Sequence, residues 1–468
     1  MVRAEDVRPD REGGPGADDA ATLHRRAPQS QGSPEADPVD LVYATTTLPS
    51  LWPDAPAATG REPRPEQSPA QWPAQWRHRR AELVAALATT IYGATPAGGG
   101  LRSSKLISQT SAFEGRATRS EYELTVEGPN GTHTFDLLLH LPSEASHPVP
   151  VFLGLNFDGN QATTPEPGLR LSPAQRSEAV VEPDRNGRGV RVVGRRAVDA
   201  TAPIGSDADM WPVREIVERG YGLATAHNSR IEEDRPFERA PGVGVLFEAD
   251  SSWGVVGMWA WGMSRMLDAL ELIPGADEHA VIAIGHSRLG KAALWAAAQD
   301  ERFIAAVSND SGCAGASLFR HLGGESLASI TRVFPHWFAP ALGEYAGRED
   351  DLPVDQHQLL AAIAPRAVHV GSATHDQWAD PRGEYLAVVH ASRLFESFGA
   401  QALLPDAPAG DVDIPPSLAV EVPMPPPGTA VGDRLSYHLR AGTHRMVAED
   451  WVHYLRFADR VVDRADGT

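Results

Sequence analysis

The residue types needed for acyl transfer by a serine stand in a usable order along this chain: Ser287, then aspartates at 310 and 376, then His444. A serine hydroxyl is a weak nucleophile near neutral pH. It needs an imidazole within hydrogen-bond reach, itself oriented by a carboxylate. Residues 281–291 read Val-Ile-Ala-Ile-Gly-His-Ser-Arg-Leu-Gly-Lys. An apolar strand passes through Gly285 into the serine and then into a helical stretch at 291–298, a junction that lifts a nucleophile clear of the backbone. The second glycine falls at Gly290, three residues after the serine, and Leu289 occupies the position where a glycine is usual. The competing reading is a buried serine that caps the helix.

The base and the acid must come from later in the chain. His444 follows an expected strand at 436–439 and a turn at 440–443, and it precedes a closing helix that begins near Asp450. His286 flanks the nucleophile but should point elsewhere, and His369 lies inside an apolar strand. His375 and His453 are weaker alternatives. Asp310 follows the first strand after the nucleophile helix and Asp376 follows the second, so both strand ends should face one crevice. Position alone favours neither, and either could be a turn or cap aspartate. Oxyanion stabilisation would come from the backbone N–H of Arg288, with its guanidinium at the lip of the site. Lys291, one turn on, lies on the same side of the helix. Two cations here point to a substrate carrying negative charge or many oxygens, unless both simply pair with local acids.

The elements that would carry these residues alternate along the chain. A helix is expected at 77–91. Residues 118–127 and 133–140 alternate apolar and polar side chains around Asn130-Gly131 and form a hairpin. Apolar strands are expected at 149–155, 222–226, 303–307 and 367–371, and helices at 211–219, 253–270, 383–398 and 450–461. The tryptophan-bearing stripe at 253–270 has the spacing of a core-facing helix. This order predicts an α/β fold with a mostly parallel sheet, helices on both faces and antiparallel N-terminal edge strands. Together with the serine junction it predicts an α/β-hydrolase fold. Residues 1–75 read as a poorly ordered segment rich in Pro, Gly and charge, although Trp52, Trp72 and Trp76 could pin part of it. Residues 76–468 read as one catalytic domain, with insertions at about 161–210, 311–350 and 402–430.

Composition excludes several classes. The chain has 468 residues and a formal net charge of -20, which repels phosphate backbones, and no basic patch offsets it. Nucleic-acid binding is therefore not expected. No segment approaches the roughly 18 apolar residues of a membrane span. Cys313 is the only cysteine, so an internal disulfide and a thiolate metal cluster are both excluded. The first ten residues hold no hydrophobic segment, so no signal peptide is read there, and localisation stays open.

Several motifs recur in one order: 285–291, the Ser-Asn-Asp-Ser-Gly-Cys-Ala-Gly run at 308–315, Phe334-Pro335-His336-Trp337-Phe338, 376–383, and His444 followed by Asp450-Trp451. Over roughly residues 80–460 the chain thereby resembles the glucuronoyl methylesterases, family 15 of the carbohydrate esterases, in their bacterial branch. The resemblance implies Ser287 as nucleophile, His444 as base, Arg288 at the oxyanion and Asp376 as acid. Asp310, an alternative or auxiliary acid, stands where the family commonly has a glutamate. Lys291, Glu325 and Trp378 match residues that hold the uronic acid ring. The implied reaction is hydrolysis of esters between glucuronic acid side chains of xylan and lignin alcohols, without metal or cofactor, by a monomer acting on glucuronate-bearing polysaccharide or its fragments. Family members are usually secreted or periplasmic. Two other readings remain: an acetyl (xylan) esterase using the same triad, and a non-catalytic carbohydrate-binding protein on a hydrolase scaffold.

Overall fold

The computed structural model describes residues 47–51, 72–172, 175–183, 190–199, 201–235, 242–247, 252–401, 403 and 422–465. Most of the expected loose segment 1–75, Trp52 included, and most of the 402–430 insertion lie outside the described residues. The part of that segment that is described is not loose. Leu48 and Leu51 are buried, and the Pro49 and Ser50 carbonyls accept hydrogen bonds from the His357 and Gln358 side chains.

The strands are β1 (Gly100–Ala112), β2 (Ala117–Gly128), β3 (Gly131–Pro142), β4 (Val149–Asn156), β5 (Gln175–Pro183), β6 (Val190–Asp199), β7 (Gly222–His227), β8 (Ala276–His286), β9 (Phe303–Asn309), β10 (Ala367–Ala373), β11 (Thr429–Gly432) and β12 (Leu435–Arg440). Ten of them form one sheet in the order β1-β2-β3-β7-β4-β8-β9-β10-β12-β11. The six from β7 to β12 in that order are mutually parallel. The expected hairpin is β2–β3, which pairs antiparallel across the Asn130-Gly131 turn and joins the parallel block through β7. At the other end β11 adds an antiparallel edge that the sequence reading did not anticipate. Nor did it anticipate β1. As an edge strand, β1 leaves polar and apolar positions alike exposed, so it carries no alternation to read. The 161–210 insertion is not structureless: β5 and β6 pair antiparallel as a separate two-stranded sheet.

Six helices matter for the site: α1 (Trp72–Leu87), α2 (Val213–Glu218), α3 (Val255–Leu270), α4 (Arg288–Gln299), α5 (Pro381–Ser397) and α6 (Ala448–Ala465). Successive side chains of a strand point to opposite faces, so a strand covered on both sides must be apolar throughout. In β8, Val281 and Ala283 enter a core shared with α3, α4 and α5, while Ile282 and Ile284 enter a second core with α2 and α6. Trp259, Met263 and Leu267 of α3 belong to the first of these cores. Both faces being covered, polar side chains at the strand ends are left to converge at the sheet's carboxyl edge. Ser287, Asp310 and Asp376 all stand just past such ends.

Candidate active site

β8 ends at His286 and α4 begins at Arg288, so Ser287 is the single residue between strand and helix. Its backbone has φ 56° and ψ −131°. A non-glycine residue in such a conformation costs on the order of 1–3 kcal/mol and needs enforcement by its surroundings. Here its N–H donates to the Asn309 carbonyl (2.9 Å), and its own carbonyl accepts from Gly290 N–H (2.9 Å). The turn is tight enough that a Cβ on Gly285 would lie 2.1 Å from the Leu289 carbonyl oxygen. On the helix side the close approach falls at Gly290, where a Cβ would meet Ser311 Cβ at 3.0 Å. Leu289 instead packs into the core. This explains the displaced second glycine: the crowded position is 290, not 289.

Ser287 Oγ lies 2.9 Å from His444 Nε2, and His444 Nδ1 lies 2.5 Å from Asp376 Oδ2. The imidazole side chain is 42% exposed whereas Asp376 is buried. The imidazole thus opens to solvent and the carboxylate is kept from water. The two loops are zipped together: Thr374 and His375 N–H donate to the Arg440 and Gly442 carbonyls, both at 2.8 Å. His286 packs its ring against His444 with centroids 4.6 Å apart, and its Nδ1 meets Asn309 Oδ1 at 2.7 Å. Burial, helped by the neighbouring His444, holds His286 well below the ordinary histidine range.

Asp310 is brought to the same place but makes different contacts. Its Oδ1 accepts from Ala373 N–H at 2.8 Å, and its Oδ2 lies 3.5 Å from Arg440 Nη2. Burial, reinforced by Glu384 and Asp376, pushes its carboxyl well above the ordinary range, with Arg440 opposing. Asp310, Asp376 and His444 together offer donor atoms within 4.8 Å of one another. Both imidazole nitrogens, however, are already engaged by Ser287 and Asp376.

Arg288 does pair with an acid, and this fixes its direction. Its Nε lies 3.0 Å from Asp234 Oδ2, and its guanidinium carbon sits 4.5 Å from the Phe157 ring centre. Asp234 Oδ1 also accepts from Trp337 Nε1 at 2.6 Å and meets His336 Nε2 at 2.8 Å. Asp234 and Phe157 were not singled out from the sequence. Asp234 sits in an acidic stretch, Glu232 to Asp234, with no local pattern to mark it. The 334–338 motif had a visible signal but no assigned task.

Lys291 is buried and donates to the Ser311 and Cys313 carbonyls, each at 2.5 Å. Burial lowers its ammonium, and Glu325 opposes that shift. Burial pushes the Glu325 carboxyl up to about 7, while Lys291 and the indole N–H of Trp378 act the other way. Glu325 Oε1 is cut off from solvent and has no hydrogen-bond partner among the described residues. Trp378 is 38% exposed, so it is a pocket wall more than a core side chain. The three side chains form one cluster around Lys291 in the first turn of α4.

Comparison with known proteins agrees with this geometry. The sequence profile described as "Glucuronyl esterase, fungi" matches residues 217–399. A carbohydrate esterase of an unknown prokaryotic organism is 35% identical over 391 residues, covering 81% of this chain and 84% of that protein. The structure of a glucuronoyl esterase from Solibacter usitatus superposes with a TM-score of 0.71 at 35% identity, over 89% of this chain and 98% of that one. A promiscuous CE15 esterase from a marine bacterial metagenome gives a TM-score of 0.67 at 34% identity, over 82% and 92% of the two chains. The ten-stranded sheet is the α/β-hydrolase sheet, and the chain belongs to the glucuronoyl esterases, carbohydrate esterase family 15.

Proposed function

We propose that this chain is a serine esterase that hydrolyses esters of (4-O-methyl) glucuronic acid, as in lignin–glucuronoxylan linkages, through an acyl-enzyme. The observation that carries the reading is a Ser287–His444–Asp376 triad lying beside the buried Lys291 and its neighbour Glu325. His444 Nε2 takes the Ser287 proton as Oγ attacks the uronate carbonyl, then gives it to the leaving alcohol. Water, activated by the same nitrogen, releases the glucuronate and restores the serine. Asp376 holds the Nδ1–H tautomer and stabilises the imidazolium. The Arg288 backbone N–H at the start of α4, with the helix N-terminus behind it, faces the developing oxyanion. Its guanidinium, held by Asp234 and Phe157, adds charge at the lip. Lys291 and Glu325 would bind ring hydroxyls, with Trp378 as wall.

The substrate is then a glucuronate-bearing polysaccharide or its ester fragments, and residues 76–468 act as one catalytic domain and a monomer. An acetyl (xylan) esterase would use the same triad, but an acetyl group presents nothing for Lys291 and Glu325 to bind. Measuring kcat/KM on a methyl glucuronate ester and on acetylated xylose separates the two. Faster turnover of the uronate is expected, and equal or slower turnover favours the acetyl esterase. A binding-only scaffold would leave Ser287 unlabelled by a fluorophosphonate probe, whereas labelling at Ser287 is expected.

A further inference from the structure

His444 stands on a short loop between β12 and α6, and its ring, 42% exposed, packs against His286. The loop is bracketed by one buried side chain, Arg440, the last residue of β12. Its Nη1 donates to the Ala441 carbonyl at 3.3 Å, and its Nη2 donates to the Thr443 carbonyl at 3.0 Å and to that of Arg445. These carbonyls bracket His444 on both sides. On the other edge of the guanidinium, Nε lies 3.0 Å from each carboxylate oxygen of Asp450. Nη2 also approaches Asp310.

Asp450 is itself anchored from within the core. Its Oδ2 accepts from Val447 N–H at 2.8 Å, and its Oδ1 meets His438 Nε2 at 2.9 Å. His438 Nδ1 meets His369 Nε2 at 2.7 Å, and His369 Nδ1 meets Ser436 Oγ at 2.7 Å. With both imidazoles neutral, each contact has one donor and one acceptor: Ser436 O–H to His369, His369 to His438, and His438 to Asp450. The chain of polar groups is therefore complete, and it ends on the carboxylate that fixes Arg440. Backbone hydrogen bonds from Thr374 and His375 tie residues 440 and 442, ahead of His444, and Arg445 reaches Asp209 at 2.6 Å with side chains 42% and 59% exposed. Exposed pairs contribute roughly 0–1 kcal/mol, so past residue 442 the buried clasp sets the geometry.

We propose that Arg440 is the positioning residue of the general base: anchored on Asp450, it fixes the loop that presents His444 to Ser287 and Asp376. This rests on the reading of His444 as base. A guanidinium can bridge a carboxylate and several carbonyls at once because its donors lie in a planar fork, and a lysine cannot. Displacing a catalytic group by about 1 Å costs on the order of 10²-fold in rate.

The test uses the full chain carrying Arg440→Lys, which keeps the charge beside Asp310 and Asp450, and separately Gly442→Ala. Gly442 is a loop residue at φ 142°, and a Cβ there would lie 2.3 Å from Arg440 Nη1, so this variant crowds the guanidinium and strains the loop backbone that it holds. Each is made with and without His444→Ala, and kcat and KM are read on a methyl glucuronate ester beside the thermal midpoint. The expected result is a loss of roughly 10²-fold in kcat with KM changed less than about threefold, because the sugar-binding groups sit on other elements. Neither variant should reduce further the residual rate of His444→Ala. Wild-type kcat in both variants, or the same fold loss in both backgrounds, overturns the proposal. Near-normal turnover by His444→Ala alone overturns the base assignment, and the proposal with it.

Discussion

Two carboxylates stand near one imidazole, and burial with hydrogen bonding separates their roles. Asp376 touches His444 directly, whereas Asp310 accepts from a backbone N–H and is held toward its neutral form chiefly by burial. Asp376→Asn should therefore lower kcat by roughly 10²-fold or more, as expected when the imidazole loses its orienting charge. Asp310→Asn keeps the shape and an acceptor for the Ala373 N–H, and should leave kcat within about tenfold of wild type. Steady-state kinetics on a glucuronate ester decide this, and a larger loss at Asp310 would reverse the assignment. On the sugar side, Lys291→Ala removes a charged donor. A loss of about 1.5–3 kcal/mol in kcat/KM is expected on glucuronate esters, with little change on a simple aryl acetate that cannot reach the pocket. Equal losses on both would make Lys291 a support of the nucleophile turn.

Among the elements, α5 does more than cover the sheet. Glu384, in its first turn, is fully buried; its Oε1 accepts from Gly312 N–H at 2.9 Å and its Oε2 meets Ser372 Oγ at 2.5 Å. It thereby ties β10 to the 311–313 turn whose carbonyls hold Lys291. Burial raises its carboxyl to about 8, against the lowering effect of those hydrogen bonds. The folded-state pKa lies above the unfolded one, near 4.5. The folded state then holds a proton that the unfolded state has lost, so the contribution is complete below pH 4.5 and fades as pH rises toward 8. The limiting slope for one proton is about 1.4 kcal/mol per pH unit. Glu384→Gln should unfold at a temperature less sensitive to pH between about 5 and 8 than wild type. Parallel pH curves would remove Glu384 from the account. The sequence showed the elements whose apolar pattern is forced by two-sided burial, such as β8, β9 and α3. It did not show β1, whose edge position leaves no pattern. It showed Ser287 because a strand–helix junction is local, and His444 because chain order is. Asp234 and Arg440 were illegible because their partners are remote contacts or backbone carbonyls, which leave no trace in residue type.

At the scale of the molecule, the parallel block gathers the ends of β8, β9 and β10 at one edge, and the β12–α6 loop brings the base to meet them. The whole arrangement is arranged around attack by Ser287 Oγ on a uronate ester, and the most direct test is hydrolysis of a methyl glucuronate ester by the intact chain and by its Ser287→Ala variant, side by side and with the same thermal midpoint. The account requires turnover by the variant to fall roughly 10³-fold or more. Near-normal turnover without the hydroxyl would contradict it.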